Sequence, residues 1–143
     1  RHSSSAASDV YKRQTLDREK VVKKLDSECN KLNKKVNACI QVNISTEISK
    51  SGCNPTDLFD LAKLVESMEN INLRGIMALP KLTNDKEERE LMMQSVKNLS
   101  IELQSIYPNA NAISLGTTSD FEDAIINGSN MLRIGESIFG KRL

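Results

Sequence analysis

Along the chain, apolar residues switch repeatedly between a three-to-four-residue spacing and short unbroken runs, and the switches mark out the elements. Leu16, Val21, Val22, Leu25, Cys29 and Leu32 recur at helical spacing and predict a first helix over residues 17–34, with Asp17 and Glu19 favouring its positive N-terminal end. Residues 36–44 (VNACIQVNI) are short, partly β-branched and bounded by polar residues, as a buried strand is. A polar loop, residues 45–53, leads to Asn54 and Pro55. These are an N-cap and a first-turn proline, after which Leu58, Leu61, Ala62, Leu64, Val65 and Met68 mark a second helix. Residues 71–79 read as a strand stopped by Pro80. A long helix follows over residues 85–106, with Leu91, Met92, Val96, Leu99, Leu103 and Ile106 facing inward. Residues 111–115 form a third strand, 116–119 a tight polar turn, and 120–126 a helix closed by Asn127-Gly128. Residues 131–134 give the last strand, and Gly135 opens a short helical turn through Phe139.

Helices and strands that alternate over short connections imply parallel strands joined by right-handed crossovers, hence an α/β fold with about four parallel strands. A small doubly wound sheet satisfies the pattern. So does the C-terminal part of a (β/α)8 TIM barrel, a fold of about 250 residues, and a pattern that opens inside a helix favours this second architecture. Residues 1–14 (RHSSSAASDVYKRQ) are rich in Ser and Ala without any sustained period, and resemble translated adapter sequence. They are set apart as a non-native or disordered tail, which leaves residues 15–143 as the domain.

Composition narrows the function classes. With 38% hydrophobic and 27% charged residues, and no apolar run long enough for a bilayer, a soluble domain without a membrane partner is expected. Aromatics are 3% and Trp is absent, which removes a stacking platform for single-stranded nucleic acid and a cage for quaternary ammonium groups. Residues 1–35 carry 10 Lys/Arg against 5 Asp/Glu, whereas the remaining residues carry 10 against 14. The lysines of that basic front end are interleaved with acids on an amphipathic helix, which is a solvated face rather than a nucleic-acid footprint. Cys29, Cys39 and Cys53 lack the spacing of a disulfide framework or zinc site, so a reducing compartment, the cytoplasm, is expected. The single histidine, His2, lies in the tail, which leaves no histidine base for catalysis.

Candidate chemistry collects at strand ends. Ser114, Gly116, Thr117 and Ser119 follow the third strand, and Arg133, Gly135, Glu136 and Ser137 follow the fourth. In β/α barrels such loops cradle phosphate, because free backbone N–H groups and a helix N-terminus favour an anion; the same glycines also serve plain turns and caps. Arg133, inside the apolar run MLRIG, needs a partner, either a nearby carboxylate or a ligand. Lys50 adds a cation near the end of the first strand, and Met77, near the end of the second, suits core packing as well as a ligand contact.

Four stretches together resemble one family: residues 15–18 (TLDR), 41–52 (QVNISTEISKSG), 74–80 (RGIMALP) and 114–142 (SLGTTSDFEDAIINGSNMLRIGESIFGKR). They are similar to the pyridoxal-phosphate homeostasis proteins, whose barrel resembles that of alanine racemase. The resemblance implies a barrel that binds pyridoxal 5′-phosphate and buffers or delivers it to PLP-dependent apoenzymes, without robust catalysis. It implies a phosphate clamp from Ser114 and the backbone of Gly135 and Glu136, with Arg133 facing the pyridine nitrogen. Gly116, Thr117, Ser137, Asn43 and Met77 are implied as neighbours of the pocket. Where relatives carry Met, this chain has Leu115 and Thr117, and Glu136 stands where they carry Thr or Ser, so an altered pocket is expected. The Glu136 carboxylate repels a phosphate, which leaves its backbone N–H as the group used. Residues 1–14 occupy the place of the family strands that include the Schiff-base lysine, so the chain is expected to behave as a fragment lacking that anchor.

Two other functions fit the same pattern. One is a fold-type III enzyme, an amino-acid racemase or decarboxylase; the racemase adds a β-rich domain that brings a catalytic tyrosine, which disfavours this reading. The other is a general binder of phosphate metabolites, which would respond equally to sugar phosphates.

Overall fold

Leu16, Ile40, Ile76 and Ile113 stand side by side on four adjacent strands, and this apolar row, facing the helices, organises the molecule. The computed structural model describes residues 14–45, 51–117 and 120–133, with the backbone alone at residues 14, 117, 132 and 133. The candidate residues Lys50, Ser119, Gly135, Glu136 and Ser137 lie outside the described residues.

The strands are β1 (Gln14–Leu16), β2 (Val36–Val42), β3 (Ile71–Ala78), β4 (Ala112–Thr117) and β5 (Met131–Arg133). Between them run α1 (Glu19–Lys31), α2 (Leu58–Ser67), α3 (Lys86–Ile106) and α4 (Phe121–Ile126). All pairings are parallel, and the strands lie in the sheet in chain order, β1-β2-β3-β4-β5. A doubly wound sheet reverses its order at a switch point, whereas unbroken chain order places every right-handed crossover on one face. That is the winding of a (β/α)8 barrel. Consistent with it, α1 packs on α2 and α3 on α4 over the same side of the sheet.

Among the described residues five strands are present where the sequence pattern predicts four. Leu16, expected on the first helix, is instead buried at the end of β1, opposite Ile40. A three-residue strand is too short to carry a period of its own, and its pairing with β2 defines it. Helix α1 starts after Arg18 and ends with Asn33 at φ 51°, while the Lys34 N–H returns to the Cys29 carbonyl at 2.9 Å. This left-handed asparagine terminus puts Leu32 past the helix and 65% exposed, outside the predicted inward face. The Asn54-Pro55 start holds: Asn54 accepts from the Thr56 N–H at 3.1 Å, capping a 3-10 turn, Pro55–Asp57, that leads into α2.

Helix α3 is capped by Asp85, the residue at which the sequence pattern starts it, which accepts from the N–H groups of Glu87 and Glu88. Its inward face differs from the expected one. Met93, Val96, Ser100 and Leu103 are buried, whereas Leu91 and Ile106 are 65% and 55% exposed. Gly75 marks an irregularity in β3, where Arg74 is an extra residue against β2. At the N-terminal rim of the sheet Asn37 Oδ1 accepts from Arg74 Nε at 3.0 Å and from Asn72 Nδ2 at 3.3 Å. There too the Asn70 N–H donates to Asp26 Oδ1 of α1 at 3.0 Å. Among the described residues no helix is long and apolar enough to cross a membrane.

Candidate functional site

Side chains alternate across a strand, so the row after the isoleucines points away from the helices. In register that row is Gln41 on β2, Met77 on β3, Ser114 on β4 and Met131 on β5. Gln41 and Ser114 are two strand spacings apart, about 10 Å, with Met77 between them. The row lies toward the C-terminal ends of β2 and β3, the end at which β/α barrels place their sites.

Ser114 is 4% exposed, and among the described residues its hydroxyl has no hydrogen-bond partner. A buried hydroxyl left so is unusual and calls for a partner that the described residues do not supply. Gln41 is 8% exposed; its Nε2 donates to Ser51 Oγ at 3.1 Å, and its Oε1 has no partner among the described residues. Gln41 is absent from the residues singled out in the sequence. A polar letter inside the apolar run VNACIQV, in phase with Asn43, was the available signal.

Gly116 continues β4 past its last row with β3, buried and at φ +103°. Ser114 pairs with Met131 and Thr117 with Arg133, so three steps along β4 face two along β5. The extra residue of β4 falls at Leu115-Gly116, and such irregularities re-aim groups at strand ends. The structure therefore brings Met77 next to Ser114, and the Thr117 backbone next to that of Arg133. Leu115, expected to alter the pocket, belongs instead to the core on the helical face, fully buried.

Asn43 sits at the rim beyond β2. Its Oδ1 accepts from Ser45 Oγ at 2.9 Å and from the Ser45 N–H at 3.2 Å, and its own N–H donates to the Cys53 carbonyl at 2.8 Å. Ser51, Gly52 and Cys53 replace β1 along the end of β2: the Cys53 N–H returns to the Gln41 carbonyl, and the Gly52 N–H donates to Asp17 Oδ2 at 3.3 Å. Burial, followed by the charges of Asp57 and Asp17, pushes the Cys53 thiol up to about 11. The thiol is therefore protonated and inert at neutral pH. All three cysteines are buried and none is in a disulfide, and the described residues hold no His/Cys/Asp/Glu cluster suited to a metal.

Two cavities lie on the outer, helical layer, away from this row. One of about 840 Å3 is bounded by Asp17, Cys53, Asp57 and Lys63, and one of about 500 Å3 by Ile44, Pro55 and Leu99. Neither is lined by Ser114 or Met77.

Comparison with known proteins places this geometry. The family model for the alanine racemase N-terminal domain matches residues 3–142, beginning inside the segment set apart on composition. The pyridoxal phosphate homeostasis protein of Pasteurella multocida is 40% identical over 131 residues, covering 90% of this chain and 56% of that protein. That of Haemophilus influenzae is 40% identical over 131 residues, with 90% and 55% covered. The chain thus spans about half the length of these curated relatives. Among solved structures, PipY of Synechococcus elongatus with PLP bound superposes with a TM-score of 0.80 at 23% identity, over 90% of this chain and 61% of that one. A protein of Bifidobacterium adolescentis gives 0.85 at 24% identity, over 90% and 53%. These neighbours share the fold, the TIM barrel that the strand order indicates. The chain belongs to the alanine racemase N-terminal domain family and is similar, over nine-tenths of its length, to the pyridoxal phosphate homeostasis proteins.

Proposed function

We propose that the chain binds pyridoxal 5′-phosphate and serves its homeostasis in the cytoplasm, holding the cofactor and passing it to apoenzymes rather than catalysing a reaction of its own. The observation that carries this reading is the buried hydroxyl of Ser114, which has no hydrogen-bond partner among the described residues, beside Met77 and two residues before Gly116. Met77 separates two polar side chains of the same row, Ser114 and Gln41, and in this reading the ring lies against it.

In this reading Ser114 donates to the phosphate. Gly116, at φ +103° and without a side chain, lets the backbone approach the anion. Thr117, Gly135, Glu136 and Ser137 complete the clamp through the two strand-end loops, and Asn43 borders the rim. The bound cofactor supplies an electrophilic aldehyde and a ring that draws electron density. Arg133, placed against the ring nitrogen, would donate a hydrogen bond to it while retaining its own proton, so that nitrogen stays unprotonated, which weakens the ring as an electron sink. That setting suits a holder better than a racemase or decarboxylase.

Titration calorimetry with pyridoxal 5′-phosphate, pyridoxal and glucose 6-phosphate tests the proposal. Pyridoxal 5′-phosphate should bind at least about tenfold more tightly than either of the others, and Ser114→Ala should remove about tenfold of its affinity. An equal response to the sugar phosphate would turn the reading into a general phosphate binder. An unchanged affinity in Ser114→Ala would remove the site assignment.

A further inference from the structure

One part of the proposed clamp, Ser114 and Gly116, sits on β4 and the other follows β5 in the sequence, and two side chains reinforce the pairing of those strands. Asn130, just before β5, acts as an added strand residue for β4: its Oδ1 accepts from the Ile113 N–H at 2.7 Å and its Nδ2 donates to the Asn111 carbonyl at 2.8 Å. Its own N–H donates to the Ile113 carbonyl at 3.1 Å. Ser129 is fixed to α4 by its N–H on the Ala124 carbonyl at 2.9 Å. Its Oγ lies 2.5 Å from the Leu115 carbonyl, 3.1 Å from that of Ile113 and 3.2 Å from that of Met131. A hydroxyl has one proton, and the short contact assigns it to Leu115.

The Leu115 carbonyl and the Gly116 N–H belong to one planar trans peptide, so they point in opposite directions. Holding the carbonyl toward Ser129 aims the Gly116 N–H away from it, beyond the last row that β4 shares with β3. The glycine on one side leaves this peptide unusually free to flip, because Gly116 has no Cβ to bar either orientation.

We propose that Ser129 is a positioning residue that latches the Leu115-Gly116 peptide, and so presents the Gly116 N–H to the phosphate of the bound cofactor. The inference rests on the pyridoxal 5′-phosphate reading above. It predicts a loss specific to the phosphate, because the ring does not use this peptide.

Calorimetry on the full chain with pyridoxal 5′-phosphate and pyridoxal, for wild type, Ser129→Ala and Ser129→Thr, separates the possibilities. In Ser129→Ala the preference for the phosphorylated ligand should fall about tenfold, and Ser129→Thr, which keeps the hydroxyl, should restore it. Equal losses for both ligands, or an unchanged preference, would overturn the latch. A wild-type chain with no preference for the phosphorylated ligand would overturn the underlying reading instead. Should Ser129→Ala not fold, the wild-type Gly116 amide resonance decides: it should move on adding pyridoxal 5′-phosphate and not on adding pyridoxal, and a resonance indifferent to both ligands would sink the proposal.

Discussion

A methyl group on Gly75 would lie 1.9 Å from the Ala112 carbonyl oxygen and 2.6 Å from its carbon. Because the obstacle is the backbone of β4, no side-chain rotation relieves it, and φ +151° is itself unfavourable for any other residue. Gly75→Ala should therefore lose about 3 kcal/mol or more in urea unfolding, and an unchanged midpoint would refute the close approach of β3 to β4. Cys53 sets a second expectation. Its thiol is raised from 9.0 to about 11 in the folded chain, so below pH 9 both folded and unfolded states are protonated and the full stabilisation is present. Between pH 9 and about 11 the unfolded state gives up its proton first, and stability falls as pH rises. Melting temperatures followed across that range should drop more steeply for wild type than for Cys53→Ala. Neither effect is legible in the sequence. The letters G and C carry no record of the strand that will press against one, or of the burial and the two aspartates around the other.

At the scale of elements, helix α3 shows how a pattern misleads. Leu91, Met92 and Met93 are contiguous and allow several helical phases, and Ser100 puts a polar letter on the face that is buried. Choosing the most apolar letters selected Leu91 and Ile106, both exposed, and passed over Met93. The Arg89–Asp123 pair, at 2.6 Å and joined by Arg89 Nη1 on the Thr83 carbonyl at 3.1 Å, ties α4 to the turn before α3 and helps fix the helix in its actual phase. Leu103→Ala should cost about 2–5 kcal/mol and Leu91→Ala less than about 0.5, measured by chemical denaturation. Comparable losses would mean that the helix sits in the other phase. The caps, by contrast, were readable: Asp85 and Asn54 act through their own neighbours, and local chemistry survives in the sequence.

For the molecule as a whole, the same divide holds. Alternation of helix and strand was legible from α1 to β5, because each crossover buries one apolar stripe, whereas the three-residue β1 was not. Strand order was open between two architectures, since it depends on which strands pair and not on any strand's composition. Ser114 and Gly116 could be found from the motif SLGTTS. Ser129 and Asn130 could not, because they matter only once β4 and β5 stand side by side, and Gln41 left only the signal of a polar letter in an apolar run.

The polar ties of Asn37 with Arg74 and of Asp26 with Asn70 gather at the rim where the strands begin, while Ser114 and Gly116 stand toward the rim where they end. In the proposed reading, the ties that hold the sheet and the groups that meet the ligand thus stand at different ends of the same strands. Exchanging the strand-end loops for foreign ones should change what is bound and spare the scaffold, a division of labour that leaves one rim free to diversify while the other is held by selection for folding.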